Sequence, residues 1–229
     1  IILGGEATTI KDIERWWGHV TLLNVYGPSE CTPLSVINFH ARDPSAATGL
    51  GKGAGVVTWV VDPTDHNKLA PIGSTGELLL EGPLVGNGYL DDPGKTAAAF
   101  IKDPLWLLQG TARHPGRHGR LYKTGDLVRY HEDGSLSFVG RKDTQVKIRG
   151  QRVELGEVEH HTRECMPQIA HAEQLAAEVI KPSGEEVASY LLAIFLSNDK
   201  ADEGSVQVLA VPAEVEEKLA ERLPTYMFP

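Results

Sequence analysis

The sequence predicts an α/β segment, followed by a distorted antiparallel β-barrel and then by a small α+β subdomain. Three observations carry this prediction. Residues 1–48 contain two apolar β-type runs with a helical apolar repeat between them. Residues 49–142 contain short β-type runs separated by Pro, Gly, Asn and Asp, which is typical of small antiparallel barrels. Residues 143–229 mix strand and helix patterns in one small segment. We therefore expect three structural parts with these boundaries.

The first segment opens on residues 1–6, which read as the end of a buried strand that enters a glycine turn. Residues 10–17 place Ile10, Ile13, Trp16 and Trp17 on one helical face. Residues 20–26 then predict the next parallel strand. Because the chain opens on the end of a strand pattern, we expect it to be part of a larger protein.

Polar residues follow the second predicted strand, where open α/β sheets bind their ligands. Tyr26 offers a ring face for a base, Asn24 can bond to the base edge, and Ser29 has a hydroxyl for a phosphate oxygen. Glu30 is a hard oxygen ligand of the kind that Mg²⁺ prefers. Taken alone, these residues are better explained as a surface turn with a helix cap.

Four short runs predict the strands of the antiparallel segment, at residues 56–62, 76–82, 127–130 and 135–139. Asp133-Gly134 is a strong hairpin turn between the last two. The glycine cluster of residues 49–55 lacks the Gly-Lys-Ser/Thr ending of a phosphate loop, so we interpret it as a connector.

Asp126 directly follows a glycine at the start of a predicted strand. A carboxylate in such a place can accept hydrogen bonds from both hydroxyls of a ribose. The plainer alternative is another turn aspartate.

Two alternating runs, residues 135–139 and 145–149, flank the charged residues Arg141, Lys142 and Asp143. One interpretation of this stretch is a β-hairpin with a charged turn. The other is a pivot between two domains.

The last segment predicts a helix over residues 155–165, and a strand over residues 187–196 that follows a Pro-Ser-Gly turn at 182–184. Residues 171–180 are ambiguous between helix and strand. Residues 212–222 predict a helix that opens with proline and acidic residues, as helix starts prefer.

Composition excludes several function classes. The net charge of −9 and the pI near 5.5 argue against binding to nucleic acid or to an anionic membrane. Cys31 and Cys165 form neither a disulfide framework nor a zinc motif, so a reduced, cytoplasmic setting is expected.

The histidines of residues 104–120, interpreted as a solvated loop, lack nearby carboxylates in the sequence. His160 and His161 are adjacent on a helix, so we expect them to point apart and assign no histidine to a metal.

Residues 140–159, which begin Gly-Arg-Lys-Asp-Thr-Gln-Val-Lys-Ile-Arg-Gly, resemble the hinge motif of adenylation domains from nonribosomal peptide synthetases, especially fungal ones. These domains belong to the adenylate-forming superfamily, together with acyl-CoA ligases and luciferases. Four further stretches resemble motifs of the same family in the same order: residues 3–7, 24–30, 76–90 and 121–127. The resemblance covers nearly the whole chain.

The resemblance implies a two-step reaction that uses ATP and Mg²⁺. An amino acid is first converted to an aminoacyl adenylate, which then passes to the phosphopantetheine thiol of a carrier domain. A condensation domain of the same synthetase is the further implied partner. The C-terminal subdomain is expected to rotate about Asp143 between the two steps.

The resemblance also implies roles for individual residues. The implied catalytic residues are Ser29, Glu30, Asp126, Arg141 and Lys147, with Glu30 as the Mg²⁺ ligand. The implied nucleotide-binding residues are Gly5, Glu6, Asn24, Tyr26, Gly27, Ser29, Asp126, Phe138 and Arg141. The implied residues of one half of the side-chain pocket are Ile2, Gly4, Val25, Pro33 and Leu34, which disfavour a bulky charged substrate on that half. Lys147 and Gly150 are expected on the loop that turns toward the site in the thioester-forming pose. Relatives often have tyrosine in place of Phe138, which puts a hydroxyl contact there in doubt.

The family's phosphate loop and final lysine motif have no counterpart among these residues, so we expect the chain alone to be inactive. Two alternatives stay open. One is a standalone acyl-CoA ligase of the same superfamily. The other is a non-catalytic binding module, if the chain is complete in the cell.

Overall fold

The computed structural model describes residues 1–39, 43–148, 150–166, 174–180, 191–197 and 212–228. The chain divides into two compact units, Ile1–Asp143 and Thr144–Pro229. Among the described residues, no helix is long and apolar enough to cross a membrane.

The first unit begins with a four-stranded sheet in the order β1-β2-β3-β4. Its strands are β1 (Ile2–Gly4), β2 (Leu23–Tyr26), β3 (Val36–Asn38) and β4 (Lys52–Gly53). Strands β1 and β2 are parallel, as the sequence predicts, and the other pairs are antiparallel. A short helix, α2 (Pro44–Ala47), lies between β3 and β4.

The helix between β1 and β2 is shorter than the sequence predicts. Helix α1 (Ile10–Glu14) starts at a capping box formed by Thr9 and Asp12. The helix ends after five residues. The predicted apolar helical face, which extended to residue 17, is therefore too long. Ile13 is buried, whereas Trp16 lies beyond the helix and is exposed.

The second sheet of this unit is entirely antiparallel. It contains β5 (Val57–Val61), β6 (Thr75–Glu81), β7 (Phe100–Lys102), β8 (Arg120–Tyr130) and β9 (Leu136–Arg141). Its order is β5-β6-β8-β7, and β9 pairs with the far end of β8. The predicted antiparallel segment is confirmed, including the turn at residues 133–134, while these pairings do not by themselves close a barrel.

Two short helices, α3 (Pro93–Ala99) and α4 (Leu105–Gln109), flank β7. The solvated loop predicted over residues 104–120 is therefore wrong in part. Its Arg117 makes two hydrogen bonds to the buried carboxylate of Glu81, at 3.1 and 2.8 Å. A buried charge needs such a partner, and this one holds the segment against the sheet.

The two sheets of the first unit share one apolar core. Its buried residues come from both sheets and the segments between them: Cys31, Val36, Leu50, Val60, Leu78, Leu80, Phe100, Tyr122, Val128 and Leu136. The main chain of Gly51 pairs with that of Leu136 and so links the two sheets directly. The end of β2 and the middle of β8 are thereby held close to each other.

The described residues of the second unit form two two-stranded antiparallel sheets and two α-helices. Its elements are β10 (Gln145–Ile148), β11 (Gln151–Glu154), α5 (Leu155–Cys165), β12 (Gln174–Ile180), β13 (Leu191–Ser197) and α6 (Ala213–Arg222). Both predicted helices are confirmed, and the ambiguous stretch is a strand from residue 174. Residues 171–173 and the predicted turn at 182–184 lie outside the described residues, as do residues 187–190 of the predicted strand.

The strands on either side of Asp143 belong to different sheets. Strand β9 pairs with β8, and strand β10 pairs with β11. The interpretation of this stretch as a single β-hairpin is therefore wrong. The hydrophobic alternation predicted both strands, but alternation does not identify a strand's partner.

Gly51→Ala should destabilise the first unit strongly. Gly51 has a φ of +90°, and an added Cβ would lie 2.1 Å from the carbonyl oxygen of Ile37. Gly134 has a φ of +80° with open space around it, so Gly134→Ala should cost only the conformational strain, about 1–2 kcal/mol. Thermal and urea unfolding of the two variants should show a clearly larger loss for Gly51→Ala. Equal losses would contradict the close approach of Gly51 to the main chain of Ile37 in β3.

Candidate active site

The candidate site forms at a β-bulge in β8. The pairing of β8 with β6 shifts register between Glu77 and Leu79, opposite residues 124–126. Thr124 stabilises the bulge, because its hydroxyl donates to a main-chain carbonyl of β6 at 2.8 Å and accepts from the amide of Asp126 at 3.0 Å. Gly125 takes a φ of +72°, which favours glycine. Bulges commonly re-aim a side chain at an active site, and this one presents Asp126.

Both oxygens of the Asp126 carboxylate have partners. Oδ1 accepts from Nη1 of Arg141 at 2.8 Å, and Oδ2 accepts from the hydroxyl of Tyr26. Asp126 is only 7% exposed. Since a carboxylate has about four acceptor positions, these contacts orient the group and leave capacity for further donors.

Arg141 joins this carboxylate to the predicted hinge. Its Nε and Nη2 donate to the two oxygens of Asp143, the first at 2.7 Å, while Nη1 also donates to the carbonyl of Thr124 at 3.0 Å. Burial would lower the pKa of Arg141, but its hydrogen bonds to Asp143 and Asp126 and their charges raise that pKa overall. The guanidinium is therefore a permanent cation between two carboxylates.

Tyr26 lies at the end of β2, a hundred residues before its partner Asp126. Burial, followed by the charge of Asp126, raises the pKa of the Tyr26 hydroxyl well above its usual value. The hydroxyl is thus neutral at physiological pH and donates its proton to the carboxylate.

Asn24, by contrast, has a structural position. It is buried, its amide donates to the carbonyls of Thr48 and Gly49, and its own carbonyl accepts from Thr8. These bonds attach β2 to the segment after α2. The predicted contact to a base edge would have to compete with all three bonds, so the structure gives it no support.

Glu30 is fixed by a residue from another motif. The hydroxyl of Tyr89 donates to Oε1 of Glu30 at 2.7 Å, and the amide of Gly86 donates to the main-chain carbonyl of Glu30 at 2.8 Å. Ser29 is exposed at the start of the same 3₁₀ turn, Ser29–Cys31. A single oriented carboxylate fits a Mg²⁺ ion that takes its other ligands from phosphates and water.

The predicted side-chain pocket residues cluster at one end of the first sheet. Gly4 lies in register with Val25, and an added Cβ at Gly4 would lie 2.6 Å from the Val25 side chain. Ile2 and Leu34 are 61% and 45% exposed, and Pro33 is exposed too. The expected buried strand at the chain's start is therefore wrong for Ile2.

The remaining predicted nucleotide-binding residues lie on three different parts of the first unit. Gly5 and Glu6 form a turn after β1, and Gly27 directly follows β2. Phe138 is 42% exposed on β9. Their contact with a nucleotide stays a prediction.

Lys147 and Gly150 belong to the second unit. Lys147 is exposed on β10, and Gly150 forms the turn to β11 with a φ of +75°. Their role in thioester formation stays a prediction.

Glu77 is a site residue that the sequence reasoning missed. It is 3% exposed on β6, and its carboxylate accepts from Nζ of Lys142 at 3.1 Å and from the amide of Gly125 at 3.3 Å. Glu77 and Lys142, with Gly125 and Asp143, also border an open cavity of about 390 Å³. A carboxylate directly before the leucine run of residues 78–80 in a predicted strand was the signal that could have identified it.

Two expectations about histidines are wrong. His118 does have a carboxylate partner, Asp103, at 3.0 Å, and this bond lowers the pKa of Asp103. His160 and His161 do not point apart, because their ring centroids are 5.3 Å from each other and both lie near Glu164. Glu164 is also paired with an arginine of α6, and we assign the group no metal.

Comparison with known proteins identifies the family. Residues 1–90 match the family model of the AMP-binding enzymes. The whole chain is 58% identical to part of the nonribosomal peptide synthetase dtxS1 of Metarhizium robertsii. The chain belongs to the AMP-binding enzymes. It spans 3% of the length of that synthetase.

Two solved structures support the same family assignment. One is the Vibrio cholerae adenylation domain AlmE in complex with glycyl-adenosine-5'-phosphate, with a TM-score of 0.72 and 27% identity over the whole chain and 40% of AlmE. The other is PA1221, a nonribosomal peptide synthetase protein with adenylation and carrier (PCP) domains, with a TM-score of 0.71 and 26% identity over the whole chain and 41% of PA1221. The fold of this AMP-binding enzyme is thus that of adenylation domains.

Tyr26 should cause the unfolding free energy of this AMP-binding enzyme to decrease at alkaline pH. Above pH 10, the usual pKa of tyrosine, the unfolded chain loses the Tyr26 proton while the folded chain keeps it. The stabilisation is therefore full below pH 10 and is lost as the pH rises toward the folded pKa. Tyr26→Phe should lose less unfolding free energy between about pH 10 and 11.5 than the wild type does.

The matched control is Tyr226→Phe, because Tyr226 is 42% exposed. This variant should keep the wild-type slope of unfolding free energy against pH. Denaturant titrations at several pH values provide the measurement, and identical slopes for Tyr26→Phe and wild type would contradict the buried contact with Asp126.

Proposed function

We propose that this chain is part of an adenylation domain that activates an amino acid with ATP and loads it onto a carrier domain. The observation that carries the proposal is the convergence of three separate motifs. Tyr26, Asp126 and Arg141 form one hydrogen-bonded group, which continues to Asp143. The same group joins Asp126, the proposed ribose acceptor, to Asp143 at the end of the first unit.

In this proposal the first half-reaction depends on positioning and charge. Asp126 accepts the hydroxyls of the ribose, and its orientation is fixed before ATP arrives. Tyr26 offers its ring face to adenine while its hydroxyl stays on Asp126. Arg141 supplies positive charge beside the ribose and the α-phosphate. Such phosphoryl chemistry is catalysed by orientation and charge neutralisation and does not require a protein nucleophile.

Glu30 would hold Mg²⁺, which neutralises phosphate charge when bound. Tyr89 fixes the Glu30 carboxylate through its hydroxyl, so the ligand is oriented in advance. Ser29, exposed beside it, would contact a phosphate oxygen. Cys31 takes no part, because burial raises the pKa of its thiol to about 12.

The second half-reaction would use a phosphopantetheine carrier, as the adenylation and carrier domains named for PA1221 indicate for that protein. Rotation of the second unit about Asp143 would bring Lys147 and Gly150 toward the site. A condensation domain of the same synthetase is a further proposed partner, and the similarity to a fungal synthetase supports it. Two free cysteines fit the cytoplasmic setting that this proposal includes.

The substrate is proposed to be a small or apolar amino acid. The exposed end of β1 and β2 offers Ile2, Gly4 and Val25, and the following loop offers Pro33 and Leu34. None of these side chains can pair with a charged substrate side chain.

Amino-acid-dependent exchange of pyrophosphate into ATP tests the proposal on the complete adenylation domain. We expect exchange with small or apolar amino acids and little with lysine, glutamate or aryl acids. Exchange stimulated only by fatty or aryl acids would favour the acyl-CoA ligase alternative. A complete protein that exchanges with no acid would contradict the proposed function.

A further inference from the structure

Glu77 contacts both the bulge that carries Asp126 and Lys142, the residue before Asp143. Neither the proposed ribose contact of Asp126 nor the proposed hinge role of Asp143 accounts for the buried carboxylate of Glu77. We propose that Glu77 is a positioning residue that couples the bulge carrying Asp126 to the backbone that enters Asp143. The inference rests on the proposed function, because it concerns the balance between the two half-reactions.

Three contacts form a closed ring around Glu77. Its Oε1 accepts from the amide of Gly125, the residue before Asp126, at 3.3 Å. Its Oε2 accepts from Nζ of Lys142, the residue before Asp143, at 3.1 Å. The amide of Lys142 donates in turn to the carbonyl of Gly125 at 2.9 Å. Movement of either segment therefore disturbs the other.

The charge of Glu77 is what holds the ring together. Glu77 has a side chain that is only 4% exposed, whereas the side chain of Lys142 is 40% exposed. A buried carboxylate is tolerated only with a compensating partner, so Lys142 is drawn toward the bulge instead of extending into water. Through Lys142, Glu77 restrains the backbone next to Asp143, whose own side chain is restrained by Arg141.

Glu77→Gln separates the hydrogen bond that the side chain accepts from Gly125 from the charge that it presents to Lys142. The glutamine keeps the volume and an acceptor for the amide of Gly125, so the bulge should persist. It loses the charge that holds Nζ of Lys142, so only the main-chain bond to Gly125 still attaches Lys142 to the ring. A residue that only stabilised the sheet would change both half-reactions by the same factor, whereas a positioning residue changes their ratio.

Glu81 provides the matched control on the same strand. It is 7% exposed, nearly as buried as Glu77, and it pairs with Arg117 and with the indole of Trp59. Neither partner belongs to the bulge or to the hinge segment. Glu81→Gln therefore removes an equally buried charge without touching the proposed coupling.

The experiment measures adenylate formation and thioester formation separately, in single turnovers of the complete adenylation domain with its carrier domain. Glu77→Gln should change the ratio of the two rates by about tenfold or more, the effect of losing one hydrogen bond to a charged group. Glu81→Gln should leave the ratio within about twofold of wild type, whatever its effect on stability, since differences below about 0.5 kcal/mol are usual for uncoupled sites.

Lys142→Gln is the second variant, and it leaves the buried Glu77 carboxylate without its cation. Lys142→Gln should shift the ratio in the same direction. The double variant Glu77→Gln/Lys142→Gln removes both charges and so avoids an unpaired one, and it should shift the ratio no further than the single changes. An unchanged ratio in Lys142→Gln, or an equal shift in Glu81→Gln, overturns the inference. A wild-type protein that performs neither half-reaction overturns the proposed function itself, and the inference falls with it.

Discussion

The candidate site depends on one guanidinium that binds two carboxylates. Arg141 contacts Asp126 in the bulge of β8 and Asp143 at the end of the first unit. Two like charges this close would repel each other without a permanent cation between them. Arg141 thereby orients both carboxylates, that of Asp126 in the bulge and that of Asp143 at the end of the unit.

The bulge makes this arrangement possible. A regular β8 would alternate its side chains between the two faces of the sheet. In the bulge, residues 124–126 of β8 lie opposite Leu78 alone, and Asp126 contacts Tyr26 and Arg141. Gly125 has to be glycine here, since an added Cβ would lie 2.8 Å from the Arg141 guanidinium. Glu77 on β6 accepts a hydrogen bond from the amide of Gly125 in the bulge. A buried carboxylate on one strand thus helps to position Asp126 on the neighbouring strand.

The sequence predicted the residues of the site better than their contacts. Local patterns were sufficient for the parallel pair of β1 and β2, for α5 and for α6, because each rests on periodicity within one segment. Asp126 and Arg141 were named from motifs. Their mutual contact depends on the register between β8 and β9, and the role of Glu77 depends on the register between β8 and β6. Register is a tertiary property that single-strand alternation does not contain. Local patterns could not predict the partners of the Asn24 amide either, since these lie 24 and 25 residues further along the chain.

The most direct test of this account compares the binding of AMP and of 2',3'-dideoxy-AMP by calorimetry. The complete adenylation domain should bind AMP about 10- to 150-fold more tightly than the dideoxy analogue, because two hydroxyls donate to a charged acceptor. In Asp126→Asn this preference should largely disappear, while the control Asp103→Asn should keep it. An equal preference in the wild type and in folded Asp126→Asn would contradict the central claim that Asp126 is the ribose acceptor.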